Sequence, residues 1–218
     1  MDMKISVIVA DDHAIIREGL KSLLERRGIT VSAIAKNGRE AIEYAILHQP
    51  DAVIMDIAMP DLNGVEATAA IRCKVPHVKI IGLSMHSAKH IIDKMFASGA
   101  SGYILKESAF EELYDAIQEV LKGRFYLTPS IARMYVDSEE NEFYSLEDIS
   151  KSKDISKKER EVLQLVAEGL KTRDIAQRLN LSVKTVESHR RNMMKKLSIF
   201  TIAGLTKFAI QEGIIAIE

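Results

Sequence analysis

Residues 52–60 read Ala-Val-Ile-Met-Asp-Ile-Ala-Met-Pro, four apolar residues and then a carboxylate at Asp56. A short continuous apolar run fits a strand covered on both faces, the situation of a strand inside a parallel α/β sheet. Such sheets bind ligands beyond the carboxyl ends of their strands, so an ionisable residue at that end stands where chemistry occurs. Pro60 and the later Asn63-Gly64 force a turn, which keeps the loop after Asp56 open. Taken alone, the stretch is also compatible with a surface aspartate closing a strand.

The rest of the first half supplies the context. Strand patterns at 5–10, 30–35, 51–55, 78–83 and 101–105 alternate with helical patterns at 13–26, 38–47, 65–73, 88–97 and 109–121. In the first helical pattern Ile16, Leu20, Leu23 and Leu24 recur at three- and four-residue spacing. Five strands alternating with five helices predict an α/β doubly wound (βα)5 domain with a five-stranded parallel sheet, because right-handed crossovers put helices on both faces.

Polar residues fall at the strand ends. Asp11 and Asp12 follow the first strand, Asp56 the third, Ser84 the fourth and Lys106 the fifth. A polar residue at one strand end is ordinary, but five opening into one crevice define a site. Three carboxylates gathered together require a cation, and hard oxygen ligands beside one ammonium suit Mg²⁺ held partly by water.

Together, the acidic pair, the Asp-x-x-Met-Pro segment with Gly64, Ser84 and Tyr103-x-x-Lys106 resemble a response-regulator receiver domain over residues 4–121. The resemblance implies that Asp56 accepts a phosphoryl group. It implies Mg²⁺ ligation by Asp12, Asp56 and the backbone carbonyl of Ala58, with Asp11 acting through water. It assigns Ser84 and Lys106 to the phosphoryl oxygens and makes Tyr103 the aromatic that changes position on activation. A departure is Glu107, where many receivers carry a proline after the lysine. An aspartyl-phosphate enzyme of the haloacid-dehalogenase type needs a second aspartate two residues after the nucleophile, and Ala58 holds that place.

Charge divides the chain. Residues 151–218 carry 14 Lys+Arg against 8 Asp+Glu, a net +6, which leaves 16 against 23, or −7, for residues 1–150. A basic C-terminal third beside an acidic body points to nucleic acid. The single cysteine, Cys73, excludes an intramolecular disulfide and a Cys-based zinc site, and its place in a helical pattern predicts a partly buried, inert thiol. No run approaches the length of a membrane span, and Met1-Asp2-Met3-Lys4 leads into a strand without a signal-type apolar stretch. The expectation is a cytoplasmic protein without membrane association.

The predicted division is 1–123, an acidic linker at 124–150 with a short helical piece at 131–136, and 151–218. In the last part Ser156-Lys157-Lys158-Glu159 is a capping-box pattern opening a helix. A second helix begins at Thr172, and Ser182 caps a third running to Leu197. Two short helices joined by a tight turn, the second one basic, form a helix-turn-helix in a small all-α domain. Ser156 to Leu163, Ile175-Ala176 and Ser182 to His189 closely resemble the LuxR-type DNA-binding domain, although Ile155-Ser156 stands where that family usually has Leu-Thr.

With a receiver in front, the whole chain is similar to a NarL/FixJ-family two-component response regulator. The likeness implies that Lys184, Thr185, Glu187, Ser188 and Arg191 meet bases or phosphates, and His189 and Lys195 complete the expected DNA-binding set. Ile202, Leu205 and Phe208 on the last helix, mostly a core stripe, are also candidates for dimerisation on a two-fold symmetric site. The expected partners are a sensor histidine kinase, double-stranded promoter DNA and a second copy of the chain in the active state. The expected role is regulation of transcription rather than enzymatic turnover. Two rival readings are a receiver with a vestigial pocket and a phosphate relay or adaptor. The intact Asp11, Asp12, Asp56, Ser84 and Lys106 oppose the first, and salt-dependent binding to a duplex tests the second.

Overall fold

The computed structural model describes residues 5–137 and 155–215. In the first part, β1 (Ser6–Ala10), β2 (Thr30–Ala35), β3 (Ala52–Asp56), β4 (Lys79–Ser84) and β5 (Gly102–Leu105) alternate with α1 (Ala14–Arg26), α2 (Gly38–His48), α3 (Gly64–Lys74), α4 (Lys89–Ala97) and α5 (Ala109–Leu121). A sixth strand, β6 (Tyr126–Leu127), extends the sheet to the order β2-β1-β3-β4-β5-β6, with every pairing parallel. The sheet is therefore six-stranded, not five-stranded.

The added strand is two residues long, too short to show an alternating pattern. Pairing secures it. Tyr126 N–H donates to the Ser101 carbonyl at 3.1 Å, and Thr128 Oγ1 accepts from Leu105 N–H at 3.1 Å. Helix α6 (Pro129–Asp137) follows, buries Ile131 and donates from the Tyr135 hydroxyl to Asp93 Oδ1 on α4 at 2.6 Å. The first part of the stretch read as linker thus packs on the sheet and on α4, whereas the acidic run from Ser138 onward lies outside the described residues.

All five residues of β3 are buried, as expected for a strand with neighbours on both edges and helices on both faces. One core layer gathers Ile8, Val53, Met55 and Ile80 with Ala41, Ile71 and Ile92. The other gathers Val7, Val9, Ile54, Ile81 and Leu83 with Leu20, Leu24 and Leu113. The side chains of Asn37 and Asn63 cap α2 and α3, accepting from Glu40 N–H at 2.9 Å and Glu66 N–H at 3.0 Å. Gly64 has a steric reason: a Cβ there would lie 2.0 Å from the Asp56 carbonyl oxygen. Cys73, expected to be partly buried, is exposed, because it falls on the solvent side of α3's last turn.

The second part is all-helical, with α7 (Lys157–Ala167), α8 (Thr172–Leu179), α9 (Val183–Leu197) and α10 (Ile202–Gln211) around one core of Val162, Leu163, Ile175, Val186, Met193, Leu197, Leu205 and Ala209. Both halves of the capping box form. Ser156 Oγ accepts from Glu159 N–H at 3.3 Å, and Glu159 Oε2 accepts from Ser156 N–H at 2.6 Å. Asn180, at φ 54°, makes the left-handed turn between α8 and α9, a conformation asparagine tolerates better than most residues.

The two parts are docked. Gln164, fully buried, donates from Nε2 to the Met59 carbonyl at 2.8 Å, and its Oε1 accepts from Asn63 N–H at 3.0 Å. Asp61 N–H donates to Glu168 Oε1 at 3.2 Å, Arg178 pairs with Asp61 at 2.5 Å, and Arg160 pairs with Glu66 at 3.1 Å. The end of α10 meets α4, where Glu212 pairs with Lys94, His90 Nε2 lies 3.0 Å from the Gln211 carbonyl and Ile91 packs on Gly213.

Candidate phosphoacceptor site and nucleic-acid interface

Strands β1, β3, β4 and β5 end side by side, which brings Asp11, Asp56, Ser84 and Lys106 to one edge of the sheet. Asp11 and Asp56 are buried, Asp56 with 2% exposure, while the side chain of Asp12 reaches the surface. Lys106 Nζ bridges the two buried acids, 2.7 Å from Asp56 Oδ2 and 2.8 Å from Asp11 Oδ2. Burial and the Asp11 charge raise the Asp56 pKa to about 6, against the opposing pull of Lys106. Burial works to lower Lys106, but the two carboxylates outweigh it and its pKa is raised.

His13, which the sequence reading did not single out, joins this cluster. Its Nδ1 lies 2.7 Å from Asp12 Oδ1 and 3.1 Å from Asp11 Oδ1. Carboxylate and ring atoms from Asp11, Asp12, His13 and Asp56 all lie within 4.8 Å of one another. Asp11 Oδ2 and Asp12 Oδ1 are buried acceptors whose nearest polar neighbours are Lys106 Nζ at 2.8 Å and His13 Nδ1 at 2.7 Å. Buried acceptors of this kind suit a hard divalent cation with a carboxylate and carbonyl ligand set. The Ala58 carbonyl belongs to the open loop beside them, where Ala58 N–H donates to Asp56 Oδ1 at 3.3 Å.

Ser84, buried, accepts from His86 N–H at 3.0 Å. Tyr103 is also fully buried and donates its hydroxyl to the His86 carbonyl at 2.7 Å. Burial pushes its phenol up to about 12, so it remains a donor. Ser84 and Tyr103 therefore both grip the 84–88 segment that leads into α4.

On α9, Lys184, Glu187, Ser188, Arg191 and Lys195 are exposed, and Thr185 and His189 are half-buried at the edges of the same face. Lys171 and Arg173 at the start of α8 are also exposed. On α10, Leu205 has no exposed surface and Phe208 packs partly into the domain core, whereas Ile202 is 55% exposed. Of these three, Leu205 belongs to the core and Ile202 is the exposed one. The Gln164 and Glu168 contacts between the two parts carry no signal in the sequence, because polar residues on a helix ordinarily face water.

Comparison with known proteins agrees with this architecture. Residues 7–118 match the response regulator receiver domain, and residues 153–209 match the bacterial regulatory proteins of the luxR family. The chain belongs to the two-component response regulators that join a receiver to a LuxR-type DNA-binding domain. It is 35% identical to the oxygen regulatory protein NreC of Staphylococcus haemolyticus over 215 residues, covering 96% of this chain and 98% of that protein. It is 35% identical to the response regulator UvrY of Escherichia coli K12 over 217 residues, covering 96% and 95%. Among solved structures, the Salmonella typhimurium RcsB response regulator aligns with 29% identity and a TM-score of 0.64, covering 96% and 98%. An RcsB–DNA complex aligns with 28% identity and a TM-score of 0.57 over the same shares. Among the described residues, no helix is long and apolar enough to cross a membrane.

Proposed function

We propose that the chain is a cytoplasmic transcription regulator in which a sensor histidine kinase phosphorylates Asp56, and that this controls pairing and sequence-specific binding to promoter DNA. The observation that carries the reading is the Lys106 bridge between Asp56 and Asp11, at 2.7 and 2.8 Å, at a cluster in which ligand atoms of Asp11, Asp12, His13 and Asp56 all lie within 4.8 Å of one another. The assignment divides the chain into a receiver at 1–123, a connecting segment at 124–150 and a DNA-binding domain at 151–218.

An Asp56 carboxylate oxygen attacks phosphorus, an oxygen–phosphorus bond forms and the phosphorus–nitrogen bond of a phosphohistidine breaks, its electron pair leaving with the imidazole. The kinase imidazole takes up a proton as it departs. Asp11, Asp12, Asp56 and the Ala58 carbonyl fit Mg²⁺, which when bound would neutralise charge on the transferring oxygens. Lys106 already touches Asp56 and is placed to hold one phosphoryl oxygen. Drawing the Ser84 hydroxyl to another would disturb its bond with His86 N–H, and the His86 carbonyl that Tyr103 holds lies just before α4. Lys184, Thr185, Glu187, Ser188, His189, Arg191 and Lys195 form the DNA-reading face, in which basic side chains meet phosphates and guanine edges.

Intact-protein mass after incubation with acetyl phosphate and Mg²⁺ tests the reading. A single labile phosphoryl adduct on wild type, absent from Asp56→Asn and accompanied by a shift toward dimer on size exclusion, is expected. An adduct that persists in Asp56→Asn would move the acceptor elsewhere.

A further inference from the structure

His13 is the one nitrogen donor in the acidic cluster, and the reading of the site so far gives it nothing to do. It is the N-cap residue of α1, the position from which a side chain ordinarily turns forward to accept from the first free N–H groups of a helix. Its side chain makes no such bond. The imidazole turns back instead, with Nδ1 2.7 Å from Asp12 Oδ1 and 3.1 Å from Asp11 Oδ1. The backbone fixes this placement, because His13 N–H donates to Asp11 Oδ1 at 2.8 Å. Lys106 engages Oδ2 of Asp11 and Oδ2 of Asp56, so the ammonium and the imidazole approach different oxygens of Asp11.

A surface ion pair with Asp12 would account for one of these distances. It does not account for the convergence, in which one atom from each of Asp11, Asp12, His13 and Asp56 lies within 4.8 Å of the others. Ligands about 2.1 Å from a common ion stand at most about 4.2 Å apart, so the four need to draw in by only about 0.6 Å at the widest. The His13 side chain is 59% exposed and turns without disturbing the core.

The ligand chemistry then depends on the ion. Mg²⁺ takes oxygen ligands in near-octahedral geometry and gives up water reluctantly, so the carboxylates and the Ala58 carbonyl serve it without the ring. Imidazole suits the borderline first-row ions, to which it binds as the neutral ring.

We propose that His13 Nδ1 is a further ligand of the cation site, and that through it the pocket takes borderline divalent ions of the Fe²⁺ to Zn²⁺ class as well as Mg²⁺. The proposal rests on the cation reading of the acidic cluster and adds a nitrogen ligand to it. Binding of Mg²⁺ is then indifferent to His13, and binding of a borderline ion is not.

Calorimetry on the full-length chain with Mg²⁺ and with Co²⁺ as the borderline probe separates the two roles open to His13. Only the Co²⁺ that excess Mg²⁺ displaces is counted, which sets aside ions held at other histidines. Two variants are compared with wild type: His13→Ala, and His13→Gln, which keeps a donor for Asp12 but has no imidazole. Both are expected to weaken Co²⁺ binding by about tenfold or more and to change Mg²⁺ binding by less than about threefold. Proton spectra of the Co²⁺-loaded wild type should show a hyperfine-shifted ring N–H resonance that exchanges in D₂O and is missing from both variants. Equal losses for the two ions, a shifted resonance absent from wild type, or one retained by the variants overturns the proposal and leaves the cation reading standing. Failure of wild type to bind either ion overturns that reading, and the proposal with it.

Discussion

Gln164 of α7 donates a hydrogen bond to the Met59 carbonyl at 2.8 Å, which ties the DNA-binding domain to the loop that leaves β3. Its Oε1 accepts from Asn63 N–H and from Asn63 Nδ2, at 3.0 and 3.2 Å, so one side chain spans the loop from residue 59 to residue 63. Ala58 immediately precedes the turn that this side chain braces.

Gln164→Ala removes these bonds and is expected to weaken docking by about 2 kcal/mol, roughly thirtyfold, since each net hydrogen bond contributes about 1 kcal/mol. Small-angle scattering reads the result as a larger radius of gyration. The thermal transition of the DNA-binding domain should be unchanged, because Gln164 is not part of its apolar core. An unchanged radius would place the docking energy in the ion pairs instead.

Asp56 gives stability a pH dependence in metal-free buffer. Its pKa is about 6 in the fold against 3.8 unfolded, so between those values the folded chain holds a proton that the unfolded chain has lost. Stability therefore falls as pH rises through this window, by about 3 kcal/mol in all. Urea denaturation of wild type and Asp56→Asn should give a difference that is small near pH 4, shifts in favour of Asn as pH rises to about 6 and levels off above that. A difference that does not vary with pH would remove the raised pKa.

Gly64→Ala would place a methyl carbon 2.0 Å from the Asp56 carbonyl oxygen. Both neighbours are backbone, so the loop has to shift. The expected cost is about 3 kcal/mol, seen as a lower urea midpoint, together with slower adduct formation from acetyl phosphate. Wild-type stability in this variant would show that the loop yields easily.

Lys184→Ala and Arg191→Ala change exposed side chains on α9. Each should weaken duplex binding by about 1–3 kcal/mol while leaving the melting temperature unchanged. A residue that meets phosphate also lowers the slope of log affinity against log salt by about 1, whereas one that reads a base edge leaves the slope and alters sequence preference.

Cys73 is exposed on the last turn of α3. Ellman's reagent should label it in the native protein within about tenfold of its rate in urea. Strong protection would return it to the partly buried state that its helical pattern suggested.

Local regularities account for what was legible without coordinates. The apolar run ending at Asp56, the three- and four-residue spacing of Leu20 and Leu24, and the capping box at Ser156 and Glu159 each express a backbone period or a short-range hydrogen bond. Once the strands were recognised as parallel, their carboxyl ends had to converge, so the grouping of Asp11, Asp56, Ser84 and Lys106 followed from topology.

Tertiary structure alone decided the rest. Strand β6 exists because the edge of β5 offers unpaired backbone groups to Tyr126 and Thr128, not because two residues can show a period. His13 entered the acidic cluster through the chain's turn into α1, and Leu205 was withdrawn from α10's surface by packing into the helical domain's core. Gln164 looks like a solvent-facing residue in the sequence, and only the approach of a second domain turns it into a buried bridge. Periodicity reports which face of an element is buried. Which polar side chains find partners across a gap depends on three-dimensional placement, and a linear pattern does not encode it.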